Sequence, residues 1–339
     1  MIAERHLGAK IRALSYGWAV PNDTLNAIAD DLVAFLWDRD PLEATLTGFR
    51  EYDRGLADLS SHAEEVFRER RHTLRKRALD IGADSLGDQE QLTRAVVLAV
   101  LNNLDNYDIA GQEEYTLSDF PVSPTSMLLA YLRMVTLTNG SEAWAYVDRL
   151  REIPRYLQQS LDRLAKGRRR GLTPVAHLVT NTANQIDRYL ASPEDPLLLP
   201  LPEGFTEAET WRAEVTAILR DTVRPAFAAY RDVLLADVLP TARDKEHVGL
   251  CHLPQGLDRY EALVQAHTTT KRTAAELHEV GRRQVAKVRE EFRVLGSRVF
   301  GIDDPAKLFV HLNSAPEVRW HTRPEILAAA EVAVRRAEA

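Results

Sequence analysis

The sequence predicts an all-α fold, and three observations support this prediction. Apolar residues recur mostly at spacings of three and four, no segment alternates convincingly between apolar and polar residues, and helix-start signals are frequent. Hydrophobic residues make up 45% of the 339 residues and charged residues 27%, as in globular proteins with a packed core. We therefore expect a multi-helix bundle that forms one helical region over residues 1–339.

Local signals mark where the predicted helices begin. Asp40 precedes Pro41 and stands three residues before Glu43, which supplies an N-cap, a proline at the first helical position and an acidic first turn. The capping-box spacing recurs at Ser61/Glu64, Thr206/Glu209, Thr273/Glu276 and Thr322/Glu325. In chain order the pattern predicts helices at about 23–38, 41–52, 62–82, 87–105, 123–138, 141–166, 174–192, 206–238, 257–267, 274–297, 305–313 and 323–339.

The connections between these helices carry proline and glycine. The segment "SPEDPLLLPLPEGF" at 192–205 is the predicted subdomain boundary. The segment 241–256, "TARDKEHVGLCHLPQG", is a long loop that could also hold a short strand through 248–253, and long loops in compact domains often carry function. The last predicted helix runs to Ala339 without a stop signal, so we expect a truncated or split protein.

Charge and hydropathy exclude several classes of protein. A formal net charge of −7 argues against a protein that neutralises nucleic-acid phosphates. The longest apolar runs are far shorter than the roughly 20 residues that cross a bilayer, and the first ten residues lack the apolar core of an export signal. We expect a cytoplasmic protein with neither nucleic acid nor membrane as a partner.

The single cysteine, Cys251, excludes a disulfide or a thiolate zinc cluster made within the chain. Its apolar neighbours in "VGLCHLP" predict a small buried side chain rather than a nucleophile. In the basic run 166–170, Gly167 is expected to end a helix, with the cations near its negative end.

The stretch "TAAELHEVGRRQ" at 273–284 begins like the HExxH motif of zinc peptidases, with His278 followed by Glu279. The second histidine is replaced by Arg282, whose guanidinium stays protonated and cannot bind a metal ion. The stretch therefore predicts an ordinary amphipathic helix. Its expected buried stripe is Leu277, Val280, Gly281, Val285, Val288, Phe292 and Leu295.

Four histidines flank the long loop, and they could converge in space: His247, His252, His267 and His278. For each one alone a structural role is the simpler interpretation. No metal-binding residues are predicted in this chain.

Four stretches together resemble a known bacterial family. They are "DPLEATLTGFREYDRGLADLS" (40–60), "RLREIPRYLQQSLDRLAKGRRRGLTPV" (149–175), the helix over 223–243 ending in "PTAR", and "LPQGLDRYEALVQAHTTTKRTAAELHEVGRRQV" (253–285). This pattern is similar to that of the family named only as domain of unknown function 885. The resemblance implies a relative of all-α zinc metallopeptidases of the gluzincin type, whose two helical halves enclose a cleft.

The resemblance also implies which residues could serve the cleft. Members are typically longer, and their zinc-binding HExxH lies in a C-terminal half that has no counterpart in this sequence, so no catalytic residue and no cofactor is assigned to this chain. Motif residues expected to face the cleft and bind substrate are Gly256, Tyr260, His267, Thr269 and His278. A tyrosine hydroxyl or an imidazole could hydrogen-bond a peptide carbonyl, whereas the threonines could equally fix the loop or cap the next helix.

The leading hypothesis is therefore the N-terminal, non-metal half of a zinc-peptidase-like protein, resembling one half of an all-α zinc peptidase cleft. It would work with a C-terminal half that carries zinc, or as a homo-oligomer, on a peptide or amide substrate. One alternative is a helical interaction or regulatory module without catalysis. Another is a relative that hydrolyses an amide or ester of a small metabolite. Because the chain has HEVGR rather than HExxH, whether it is an enzyme stays open.

Overall fold

A computed structural model describes residues 23–338, and the prediction of an all-α fold is confirmed. The α-helices are α1 Asp23–Arg39, α2 Pro41–Leu46, α3 Ser61–Asp80, α4 Asp88–Ala110, α5 Pro124–Tyr131, α6 Gly140–Arg151, α7 Ile153–Arg169, α8 Ala176–Ala191, α9 Ala208–Ile218, α10 Arg224–Val233, α11 Gly256–Thr268, α12 Ala274–Phe300, α13 Pro305–Ser314 and α14 Arg323–Glu338. None of the helices in this range is long and apolar enough to span a bilayer. The N-terminal segment tested for an export signal, and Ala339 in the last predicted helix, lie outside the described residues.

The chain divides into two units, Met1–Thr270 and Lys271–Ala339. The boundary predicted near 192–205 lies inside the first unit, and Leu197 and Leu199 from that segment are buried in its main core. Burial of these leucines holds the proline-rich connection against the core. The subdomain boundary itself stays a prediction.

The main core of the first unit is built by α5 to α10 with the segment that follows α2. Trp211, Tyr146 and Phe227 are among its largest fully buried side chains. The polar atoms of Trp211 and Tyr146 are hydrogen-bonded. The indole of Trp211 donates to the carbonyl of Ala143 at 2.7 Å, and the hydroxyl of Tyr146 donates to that of Leu197 at 2.9 Å.

A smaller core holds α1, α3 and α4 together. Its buried members are Ile28, Leu32, Phe35, Leu74, Ala78, Val97, Leu101 and Leu104. Their spacing of three and four residues along each helix places them on one side, as expected of an amphipathic surface helix.

The caps predicted at Asp40 and Thr273 are correct. The carboxylate of Asp40 accepts from the amide of Glu43 at 3.1 Å, and Thr273 forms a reciprocal capping box with Glu276 at the start of α12. The amide of Glu325 also donates to the Thr322 hydroxyl at 3.4 Å, as predicted, whereas at the two remaining sites the cap differs. Ser60 rather than Ser61 caps α3, and α9 follows Glu207 without a side-chain cap.

The single helix predicted at 206–238 is interrupted by two π-helical turns, Leu219–Val223 and Leu234–Val238. Each turn ends within two residues of a proline, Pro225 or Pro240. Proline lacks an amide hydrogen and crowds the preceding turn, so a wider turn relieves the clash without ending the helical run.

The second unit contains α12, α13 and α14, and it differs from expectation. Phe292 packs against Phe309 of α13 with ring centroids 5.1 Å apart, and Gly296 is buried beside Leu308. Val285, Val288 and Leu295, which the sequence predicts to be buried, are exposed. An amphipathic pattern indicates which side of a helix can pack, but it does not supply the helix that covers it.

Candidate functional site

The first of the four stretches that resemble the family (40–60) packs around a buried arginine of the second stretch (149–175). Arg149 is completely buried in α6, and its guanidinium donates to the carbonyl of Gly55 at 3.0 Å and that of Tyr52 at 2.6 Å. It also donates to the Thr45 hydroxyl at 2.7 Å, which in turn donates to Asp53 at 2.8 Å. Burial raises the pKa of Asp53, while this hydrogen bond and the nearby arginines oppose the rise. These motif residues therefore hold the fold together.

Glycines of the second stretch (149–175) allow close packing of neighbouring segments. Gly167 is buried inside α7, where a Cβ would lie 2.9 Å from the Cβ of Glu114 and closer to its carbonyl oxygen. It therefore does not end the helix, which continues to Arg169, and that prediction is wrong. Gly171 has φ +74° and would meet Pro254 at 3.2 Å.

Gly256 begins α11 against the backbone of the preceding loop. A Cβ there would lie 2.6 Å from the carbonyl carbon of Leu250 and 3.0 Å from the Cα of Cys251. The residue is buried, and the space is closed by backbone atoms rather than by side chains that could rotate away. Gly256 can thus support a site only by positioning the loop and α11.

The loop 241–256 is organised by Arg243. The Arg243 amide donates to the carbonyl of Pro174, and the Arg243 carbonyl accepts from the amide of Ala176. These two bonds make an isolated β-bridge between Arg243 and Val175. The Arg243 guanidinium donates to three successive loop carbonyls at 2.9–3.1 Å, those of His247, Val248 and Gly249. The strand considered for 248–253 is replaced by a 3-10 turn, Leu250–His252, because these carbonyls bond to one side chain instead of to a neighbouring strand.

Two of the four candidate histidines meet on this loop. The rings of His247 and His252 lie edge to face with centroids 4.8 Å apart. Nδ1 of His247 lies 2.7 Å from the carboxylate of Asp244, and this hydrogen bond is the main cause that lowers the pKa of Asp244. They border a shallow groove of about 360 Å³. A carboxylate that holds Nδ1 leaves Nε2 of the imidazole available to a bound polar group.

Tyr260 and His267 share one side of α11. They are seven residues apart, so their Cα atoms lie about 10.5 Å apart along the helix and point in nearly the same direction. Both side chains are exposed, and the His267 ring packs edge to face on Tyr107 of α4 with centroids 5.8 Å apart. This side of α11 therefore presents a hydroxyl and an imidazole to the surroundings.

The threonine run after His267 ends α11. Thr269 adopts a left-handed conformation with φ 53°, which is strained for a β-branched residue, and its amide donates to the carbonyl of Gln265 at 2.8 Å. Thr268 bonds back to the carbonyl of Val264, while Thr273 caps the next helix. Fixing the loop is thus one role that these threonines have, and substrate binding by Thr269 stays a prediction.

His278 lies in the second unit and is exposed on α12. The neighbouring Glu279 is 3.9 Å from Arg282, an exposed pair that adds little stability. Cys251 is exposed, so its predicted burial is wrong: the 3-10 turn directs it outward from an apolar stretch.

The residues present do not fit the zinc ion that the family resemblance implies. Within residues 23–338, no three His, Cys, Asp or Glu side chains are grouped so that they could hold a metal ion. Asp244 and His247 bond to each other, and His252 adds only a second imidazole. We therefore assign no zinc chemistry to these residues.

Sequence reasoning missed the arginines that order this region. Arg259 is buried in α11 and donates to the carbonyls of Ala110 at 2.8 Å and Pro254 at 2.9 Å, as Arg149 and Arg243 do for other segments. Each lies within a family-like stretch, but an arginine in a helical pattern looks the same whether it faces water or the carbonyls of a distant turn.

The fold and this loop-and-helix region define an all-α, multi-helix protein with a polar surface on α11. The family described as "Bacterial protein of unknown function (DUF885)" matches residues 41–339. The chain belongs to this family.

Among solved structures, the chain is similar to a protein described as a "putative lipoprotein" from Colwellia psychrerythraea. The TM-score is 0.75 at 15% sequence identity, and the match covers 92% of this chain and 58% of the other. The likeness shows a shared fold. This chain spans less than two thirds of the length of the Colwellia protein. No curated protein matches the sequence.

Proposed function

We propose that this chain is the N-terminal, non-metal part of a helical zinc-peptidase-like hydrolase, and that α11 contributes to the wall of its substrate cleft. The observation that carries the proposal is the fold match, in which 92% of this chain corresponds to only 58% of a longer helical protein. On this proposal the rest of the protein brings the zinc ligands, and the assembly hydrolyses a peptide or amide bond. A cytoplasmic location stays a prediction from the sequence.

Tyr260 and His267 are the residues on which the cleft proposal depends. The tyrosine hydroxyl can donate to a carbonyl, and the imidazole can donate or accept, so two peptide groups along an extended substrate could be held from one side of the helix. His278 is proposed as a further substrate contact from α12. Gly256 and Thr269 support the same surface by fixing the two ends of α11.

Replacing Tyr260 by phenylalanine or His267 by alanine is expected to weaken peptide binding by roughly 3- to 10-fold each, the usual effect of one lost hydrogen bond. The measurement is fluorescence anisotropy of a fluorescein-labelled random pentapeptide pool. Gln265→Ala, at an exposed position on the other side of α11, is the matched control and should bind as the parent does. Equal binding by all four proteins would contradict the cleft assignment.

The purified chain is expected to hold far less than one zinc ion per molecule after dialysis against a zinc-containing buffer and then a zinc-free one. The reason is the lack of any suitable group of three ligands within residues 23–338. Plasma emission spectroscopy gives the ratio. Stoichiometric zinc would contradict the assignment of the metal to the other part of the protein.

A second candidate function is a helical interaction module without catalysis. It is favoured by α14, a 16-residue helix that buries none of its residues. Isolated helices of this length are marginally stable in water, so α14 is suited to binding a partner whether or not the complex is an enzyme. Peptide hydrolysis by the complex would separate the two candidates.

A further inference from the structure

Four exposed apolar residues of α12 lie along one side of the helix. Val285, Val288, Leu295 and Val299 are 52%, 43%, 46% and 61% exposed. At about 100° per residue their spacing keeps them within about 80° of one side of the helix, over about 21 Å of its length. We call these four residues the α12 stripe. Its spacing and length are those of a surface that receives a second helix.

Within the second unit, α13 covers the side of α12 that partly overlaps the α12 stripe. Its contacts are at Phe292, Gly296 and Phe300, through Phe309, Leu308 and His311. On the helical wheel Phe292 falls within the arc of the α12 stripe, and Gly296 and Phe300 lie beside it, so α13 forms one wall of a groove along the stripe. Phe309 and Val310 of α13 are themselves 48% and 69% exposed and extend this apolar surface.

The last helix offers a second apolar surface. Ile326, Leu327 and Val334 of α14 are about half exposed, and no residue of α14 is buried. Patches of this kind on a folded protein mark sites of interaction. The α12 stripe and these residues of α14 therefore lack a covering element within the second unit.

Charge argues against a second copy of this chain as the occupant. Arg282 and Arg289 flank one edge of the α12 stripe, Glu291 lies beside the other edge and 3.8 Å from Lys287, and the whole helix has six basic and four acidic residues. Pairing two such faces would bring like charges together, which is unfavourable at an interface. The complementary partner is a helix with an apolar side and with carboxylates that face Arg282 and Arg289.

The length of the solved relative indicates where such a helix comes from. About two fifths of the Colwellia chain has no counterpart in this chain, although the matched part shares the fold. We propose that the α12 stripe is the docking surface for the polypeptide that completes this fold, and that this polypeptide presents an apolar helix flanked by acidic residues. This inference rests on the proposed function, because it takes the completing part as the partner.

The experiment uses the full chain and, as the probe, the polypeptide encoded directly downstream of the codon for Ala339, produced as a separate chain. Calorimetry is expected to give a one-to-one complex. Val288→Asp and Leu295→Asp should each weaken it by roughly a hundredfold, since each places a charge in an apolar contact. Val294→Asp is the matched control: Val294 lies on the opposite side of α12, is 47% exposed, and its replacement should leave the affinity unchanged.

Several results would overturn the proposal. They are the lack of a downstream polypeptide that binds, equal effects of the control and the stripe variants, and a homodimer of the chain that Val288→Asp dissociates. Unfolding of the isolated Val288→Asp variant at a much lower temperature than Val294→Asp would also overturn it, by showing that the chain covers the stripe itself. A complex that depends on the stripe but does not cleave peptides would leave the docking surface standing and reject the proposed hydrolase.

Discussion

Replacing Arg149 by methionine is expected to lower the free energy of unfolding of the first unit by about 4 kcal/mol, within the range seen when one partner of a buried charge network is removed. Methionine fits the space approximately but cannot donate. The carbonyls of Gly55 and Tyr52 and the Thr45 hydroxyl would lose their donor, and Asp53 would lose a nearby positive charge. Chemical denaturation followed by circular dichroism measures the loss.

Arg151→Met is the control for this change. Arg151 lies on the same helix but is half exposed, and its ion pairs with Asp148 and Glu214 should contribute less than about 1 kcal/mol. If Arg149→Met does not fold well enough to be measured, Thr45→Val tests the same network with an expected loss of about 1–2 kcal/mol. Equal stability of the Arg149 and Arg151 variants would show that the network is not needed.

Replacing Gly256 by alanine is expected to destabilise the first unit by about 3 kcal/mol, which corresponds to a fall of roughly 6–12 °C in Tm. A single methyl group would overlap the carbonyl of Leu250, and the obstructing atoms belong to the backbone of a 3-10 turn. The turn or the start of α11 must therefore move. Because Tyr260 lies one turn further along, peptide binding should weaken as well.

The control is Gly55→Ala, which makes the same change in the same unit. A Cβ at Gly55 meets no atom within 4 Å, and its φ is not positive, so its unfolding temperature should stay within about 2 °C of that of the parent. Calorimetric melting of the three proteins measures the difference. A Gly256→Ala protein as stable as the parent would mean that the loop has room to adjust, and Gly256 would lose its positioning role.

The predictable parts of this protein are those that depend on neighbours in sequence. The Asp40 cap and the Thr273/Glu276 capping box involve groups three residues apart, so the sequence contains both partners. The same holds for the family assignment, which the motifs predicted and the match over residues 41–339 confirms. The π turns near Pro225 and Pro240 also had a local signal, the prolines themselves.

Only part of the candidate site could be predicted from the sequence. His247 and His252 are close because Arg243 folds the loop between them, and His267 packs instead on Tyr107, more than 150 residues earlier. The buried role of Arg149 depends on carbonyls about 95 residues away. Sequence spacing contains no information on such contacts, because they arise only when distant segments pack.

The helical class, most helix starts and the family follow from the sequence alone. All of these follow from residue type and spacing within one turn or one motif. Which apolar sides are covered depends on the tertiary structure: the amphipathic pattern of α12 is at least as strong as those of the core helices α6 and α9, yet its stripe is exposed. Burial depends on a second surface that reaches the helix, and the pattern of a single helix cannot specify that surface.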